Sequence, residues 1–163
     1  MGPSHYIGSA LLLVGGSALL LGRPAHRYTA RHYPPFAPAT RDLFREAARI
    51  AGLPPRWGDM PGLHHVLDAE SKGHVGVLNY TFEQAGYDVF SASDQARAFN
   101  EIRRGNLPAA SSATGLGQLL SRNAERYYPS GLAGLGDPLE EAVGMLRYIA
   151  ARYGDPETAW RFY

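Results

Sequence analysis

Cysteine is absent from this 163-residue chain. That excludes disulfides, thiolate metal sites and a cysteine nucleophile, while leaving the compartment open, because secreted proteins often lack cysteine too. Lysine is nearly absent as well: Lys72 is the sole example, and arginine carries the rest of the basic charge. With 16 basic and 15 acidic side chains the net charge is +1. The chain therefore lacks the electrostatic footprint of a nucleic-acid binder, and no such partner is expected. Alternating apolar and polar runs of useful strand length are also missing, which points to a mainly α fold.

What is present begins with one long apolar run, Tyr6 to Gly22, free of charge and followed by Arg23, Arg27 and Arg31. A helix of that length spans about 25 Å, at the short end of what crosses a bilayer core. No Lys or Arg precedes the run and no small-x-small cleavage site follows it before the arginines, so a membrane helix over residues 1–22 is favoured over a signal peptide. Gly8, Gly15 and Gly22 repeat at a heptad spacing, a small-residue face suited to helix-mediated self-association. The arginines on its C-terminal side would, by the positive-inside tendency, keep the rest of the chain in the cytoplasm. Residues 23–39, with Pro24, Pro34, Pro35 and Pro38, read as a stiff extended linker.

The domain is expected over residues 40–163. Thr40 is a candidate N-cap for a helix to Ala51, with Leu43, Phe44, Ala47, Ile50 and Ala51 inward and Gly52-Leu53-Pro54 as its stop. Asp59 is placed to cap a second helix, with Pro61 in its first turn. Within that helix Leu63, Val66, Leu67 and Glu70 fall at i, i+3, i+4 and i+7, so a carboxylate ends the apolar stripe. Desolvation raises the pKa of such a group and makes it a proton donor near neutral pH. The competing reading is that Glu70 ends the helix in water.

Residues 73–89 show no helical period and read as an irregular excursion or a short hairpin lining a cleft. Helix returns over Ser93 to Arg104, with Ala96, Phe99 and Ile102 inward, and again over Gln118 to Tyr127. Asp137-Pro138-Leu139-Glu140 is a capping box for a helix burying Val143, Leu146 and Ile149. Asp155-Pro156 repeats the start signal for a short last helix carrying Trp160. His64, His65 and His74 stand near Asp68 and Glu70, but adjacent histidines on a helix point about 100° apart, and no metal or other cofactor is expected.

Glu70-Ser71 on a helix, followed by Ala113-Thr-Gly-Leu-Gly-Gln118, then Gly144-Met-Leu-Arg-Tyr148-Ile and Arg152-Tyr-Gly-Asp155, resembles the lytic transglycosylases, lysozyme-like enzymes that cleave peptidoglycan. The resemblance runs from about Asp59 to Tyr163. It implies a lysozyme-like domain with Glu70 as the catalytic acid/base. It also implies glycan contacts at Ser71, Gly115, Gln118, Tyr148 and Tyr163, and peptidoglycan glycan strands as the partner. Tyr127, Tyr128 and Trp160 could stack on sugars or fill the core. A lysozyme-type hydrolase would want a second carboxylate, for which Asp88 and Asp94 are the candidates, although they read better as a turn residue and a helix N-terminal residue. An inactive wall-binding or structural membrane protein of a virion is the remaining alternative. The virion route also answers the orientation problem, since a particle attacks the wall from outside.

Overall fold

A computed structural model of the chain describes residues 27–163. The expected membrane helix at 1–22, its small-residue face and the first residues of the 23–39 linker lie outside the described residues. Among the residues described, no helix is long and apolar enough to cross a membrane. They form helices and 3-10 turns with no strand, joined by three isolated antiparallel bridges, His32–His74, Leu78–Thr114 and Thr114–Leu119. The mainly α expectation holds.

Helix α1 spans Pro38–Ala51. It starts earlier than expected because Pro38, whose fixed φ and missing N–H suit a first helical position, opens it. Thr40 is therefore not the N-cap. It lies inside the first turn, fully buried, with its hydroxyl donating to the Pro34 carbonyl at 2.6 Å. Leu43, Phe44, Ala47 and Ala48 face inward, while Ile50, expected inside, is 41% exposed. After a 3-10 turn at Pro55–Asp59, helix α2 covers Pro61–Ser71.

Asp59 does not cap α2 either, because its carboxylate is taken by Arg45 at 2.9 and 2.5 Å, with Arg41 at 3.6 Å. An open N–H at the start of α2 is met from across the fold, where Gly62 donates to Glu157 Oε1 at 2.8 Å. Helix α3, Tyr80–Gln84, forms in the excursion that had no helical period. It is nucleated by Asn79, whose side chain accepts the Thr81 N–H. Helix α4 runs Ala92–Arg103 with Gln95, Ala98, Phe99 and Ile102 buried, whereas Ala96 points to solvent. Helix α5 is confined to Ser121–Tyr127, since Gln118 adopts a left-handed turn at φ 44°. Helices α6, Pro138–Tyr153, and α7, Pro156–Trp160, start where predicted. Asp137 accepts from the Leu139 and Glu140 N–H groups, and Asp155 from Thr158. Glu140 does not complete the capping box; it takes the Ser130 N–H at 2.8 Å.

The segment read as a linker packs onto the domain from Tyr28 onward. Tyr33 is buried, its N–H donates to Gly73 O at 2.8 Å, and the Val75 N–H returns to Arg31 O at 3.0 Å. Gly73 has φ 80°, and a Cβ there would stand 1.9 Å from the Tyr33 carbonyl oxygen, so only glycine admits the arm.

Two apolar clusters result. One joins α1, α2 and α6 with Tyr33, Trp57, Val75 and Leu116. The other gathers Phe82, Phe99, Ile102, Ala124 and Tyr128 around Val77, Leu78 and Leu119. The chain passes from one cluster to the other between Val75 and Val77 and again between Leu116 and Leu119. At these crossings sits Glu141 of α6, fully buried. Its Oε2 accepts the Gly76 and Leu116 N–H groups at 3.1 and 3.0 Å, and its Oε1 accepts Gly136 N–H at 2.9 Å. Arg31 braces the same place through Gly136 O, Val75 O and Gln95 Oε1. Burial pushes the Glu141 carboxyl up to about 7, against the pull of the three N–H donors and Arg31.

Glu141→Gln replaces one acceptor oxygen with an NH2 group, which leaves at least one of the three N–H donors facing another donor. The expected loss is about 1–3 kcal/mol of stability. It is read as a lower urea midpoint at unchanged slope, and an unshifted midpoint would show that the carboxylate is not a clasp.

Candidate active site

The apolar stripe of α2 packs as its period requires, with Leu63, Val66 and Leu67 buried. One turn further on, Glu70 follows that face to the wall of a cleft of about 140 Å³. Gln118, Asn123, Met145, Tyr148 and Tyr163 share the lining. Burial raises the Glu70 carboxyl to about 7, with no basic side chain among the described residues acting on it, so about half of it carries a proton at neutrality where an ordinary glutamate is almost wholly ionised. Tyr163 reaches it directly, its hydroxyl donating to Glu70 Oε1.

Gln118 enters from the turn after α4. Its Nε2 donates to Val77 O at 3.0 Å and Gly115 O at 3.2 Å, so the side chain braces its own left-handed turn while lining the cleft. Strain of this kind persists only where surrounding contacts over-determine it. Tyr148 is half-buried, edge-on to Tyr127 at 5.9 Å and Tyr153 at 6.4 Å, so it serves packing and lining together. The structure thus brings Glu70, Gln118, Tyr148 and Tyr163 together.

Ser71 and Gly115 do not reach the cleft. Ser71 is buried at the end of α2, where its hydroxyl donates to Leu67 O and accepts Gly73 N–H at 3.1 Å. Gly115 has φ 77°, and a Cβ there would meet the Glu141 carboxylate at 2.6 Å, so its smallness serves the clasp. Tyr128 is fully packed beside α6, and Trp160 is 38% exposed.

The histidines near Glu70 have other occupations. Buried His64 accepts the Phe36 N–H on Nδ1 and donates from Nε2 to Gly58 O, both at 3.0 Å, and burial pushes it below the ordinary imidazole value. His74 stacks on His32 at 4.1 Å. Asp88 and Asp94 tie the loop before α4: Asp94 accepts the Asp88 N–H at 2.7 Å and Asp88 accepts that of Phe90 at 3.0 Å.

Asn123 and Glu141 were not singled out from the sequence. A signal existed for Glu141, which falls with Met145 and Ile149 at i, i+4 and i+8 on the apolar stripe of α6, the same pattern that marks Glu70. Comparison with family models, with curated proteins and with solved structures finds no match to this chain.

Glu70 and Glu141 both hold protons in the folded state more tightly than in the unfolded chain. Between the ordinary glutamate value and about 7 the folded state therefore binds more protons, and stability falls as pH rises through that window. Glu70→Gln removes one of the two contributions. It is expected to raise stability relative to the parent at pH 8 and to leave it unchanged at pH 5. Urea unfolding at the two pH values measures this, and an equal difference at both would refute a desolvated Glu70.

Proposed function

We propose that the chain is a peptidoglycan lytic transglycosylase that breaks the β-1,4 bond between N-acetylmuramic acid and N-acetylglucosamine, with Glu70 as its single acid/base. The observation that carries this reading is a desolvated carboxyl, raised to about 7, on the wall of a cleft it shares with Gln118, Tyr148 and Tyr163. The motifs shared with the lytic transglycosylases supply the substrate class.

In the reaction, protonated Glu70 gives its proton to the glycosidic oxygen as the bond to muramic acid C1 breaks. The resulting carboxylate then takes the proton of the muramic acid 6-hydroxyl as that oxygen closes on C1, forming the 1,6-anhydro ring. The proton lost in the first step is recovered in the second, so one residue suffices and no cofactor enters. The substrate's N-acetyl group stabilises the cation developing at C1, as in other substrate-assisted glycosidases. Tyr163, donating to Glu70 Oε1, supports the carboxylate that exists between the two steps.

A hydrolase would need a second carboxylate to activate water. Among the described residues Glu70 is the sole carboxylate side chain lining the cleft, and Asp88 and Asp94 are spent on their own loop. This favours the transglycosylase. The apolar run Tyr6 to Gly22 is proposed as a single-pass anchor, in a virion membrane or a bacterial inner membrane, with its glycine face available for self-association.

Digestion of purified peptidoglycan by the full chain in detergent, with products identified by mass spectrometry, tests the reading. Anhydromuropeptides are expected from the parent and none from Glu70→Gln. Reducing-end products would make the protein a hydrolase, and no products from folded protein would leave a binding or structural role. The pH profile gives a second check. Because the acid must carry its proton, kcat/KM should fall tenfold per pH unit above about 7, and a profile still rising at pH 8 would exclude Glu70 as the general acid.

A further inference from the structure

An unbroken line of aromatic rings leads away from Glu70 across the surface. Tyr163, which holds the carboxyl, stacks on Trp160 at 5.8 Å. Trp160 stacks on His65 at 5.0 Å, and His65 meets Phe36 edge-on at 5.2 Å. The separations make both stacks offset, and Tyr163, Trp160 and Phe36 remain 59%, 38% and 41% exposed.

The far end of this line is held at a cost. Phe36 has φ 65°, a left-handed conformation that is an outlier for a bulky side chain. Its N–H is fixed by His64 Nδ1 at 3.0 Å, and its ring lies 4.8 Å from the His64 ring. Strain of this kind clusters at ligand clamps.

We propose that Phe36, His65, Trp160 and Tyr163 form a ledge on which a glycan strand lies as it leaves the cleft, so that the protein grips long strands better than short ones. The inference rests on the glycan-cleaving reading of Glu70. A strand is the occupant because the line is continuous with the cleft and leaves parts of the Phe36, Trp160 and Tyr163 rings exposed to pack against the apolar C–H faces of successive sugars. A folded protein partner would instead call for one broad patch with a buried centre.

The test uses the full chain carrying Glu70→Gln, so that glycan is bound and not consumed. Its affinity is measured for long peptidoglycan glycan strands freed of peptides and for the tetrasaccharide made of two disaccharide repeats. Phe36→Gly removes the far ring and suits the positive φ, so the backbone keeps its turn; Trp160→Ala is the second variant. Each is expected to weaken long-strand binding by about fivefold, the scale of one aromatic contact, and to reduce the preference for long over short. Unchanged long-strand affinity in the folded variants overturns the ledge, as does an equal loss for both lengths.

The two readings fail separately. Cleavage by the parent with no effect of Phe36→Gly on length preference would end the ledge and leave the enzyme. Phe36-dependent retention of strands that the parent never cleaves would leave the ledge and end the enzyme.

Discussion

A single carboxylate out of reach of water holds the irregular half of this protein in place. Glu141 receives three backbone N–H groups from segments far apart in sequence, and each of those segments lies where the chain crosses between the two apolar clusters. None of the three can find a partner in a regular helix or sheet at that place, and a buried N–H left unpaired costs as much as a lost hydrogen bond. The excursion after α2, the turn bearing Gln118 and the loop before α6 are therefore positioned by one side chain of one rigid helix. The cleft inherits its shape from that arrangement, because Gln118 hangs from Val77 and Gly115 beside the clasp.

Glu70 sits in the opposite electrostatic situation. Among the described residues no arginine and no set of backbone donors compensates it, and burial raises its affinity for a proton. The two glutamates reach similar values by different routes. Glu141 is fully enclosed and heavily bonded, which suits a structural tie. Glu70 is partly open to a cleft with one phenol for company, which suits a group that must give its proton away and take another back. A carboxyl whose hold on a proton is raised only because water is kept from it is a local weakness of the fold, a cost that the acid/base role proposed for Glu70 would explain.

Helix periodicity was legible wherever an apolar stripe met a single partner. The faces of α2 and α6, the Asp137 and Asp155 caps and the place of Glu70 follow from spacing alone. Signals that depend on competition between partners were not legible. Thr40 and Asp59 are both good capping residues, yet Thr40 is drawn inward by the Pro34 carbonyl and Asp59 outward by two arginines. Ser71 carried a family resemblance and is spent on the end of its own helix. The docking of residues 28–37 could not be read from composition, because proline-rich segments look alike whether they span solvent or lie along a surface. What decides it is Gly73, across the fold, which leaves room for the Tyr33 carbonyl.

That docking would shorten the tether of the proposed membrane anchor. An anchor ending at Gly22 leaves only residues 23–27 before the arm is fastened at Tyr28, a reach of at most about 20 Å when fully extended. On such a leash the proposed anchor would keep the cleft within a shallow layer next to the bilayer. For the proposed glycan-cleaving activity, strands deeper in the wall would come within range only when the membrane itself is pressed against them, so the position of the membrane, more than the reach of the protein, would decide where cutting begins.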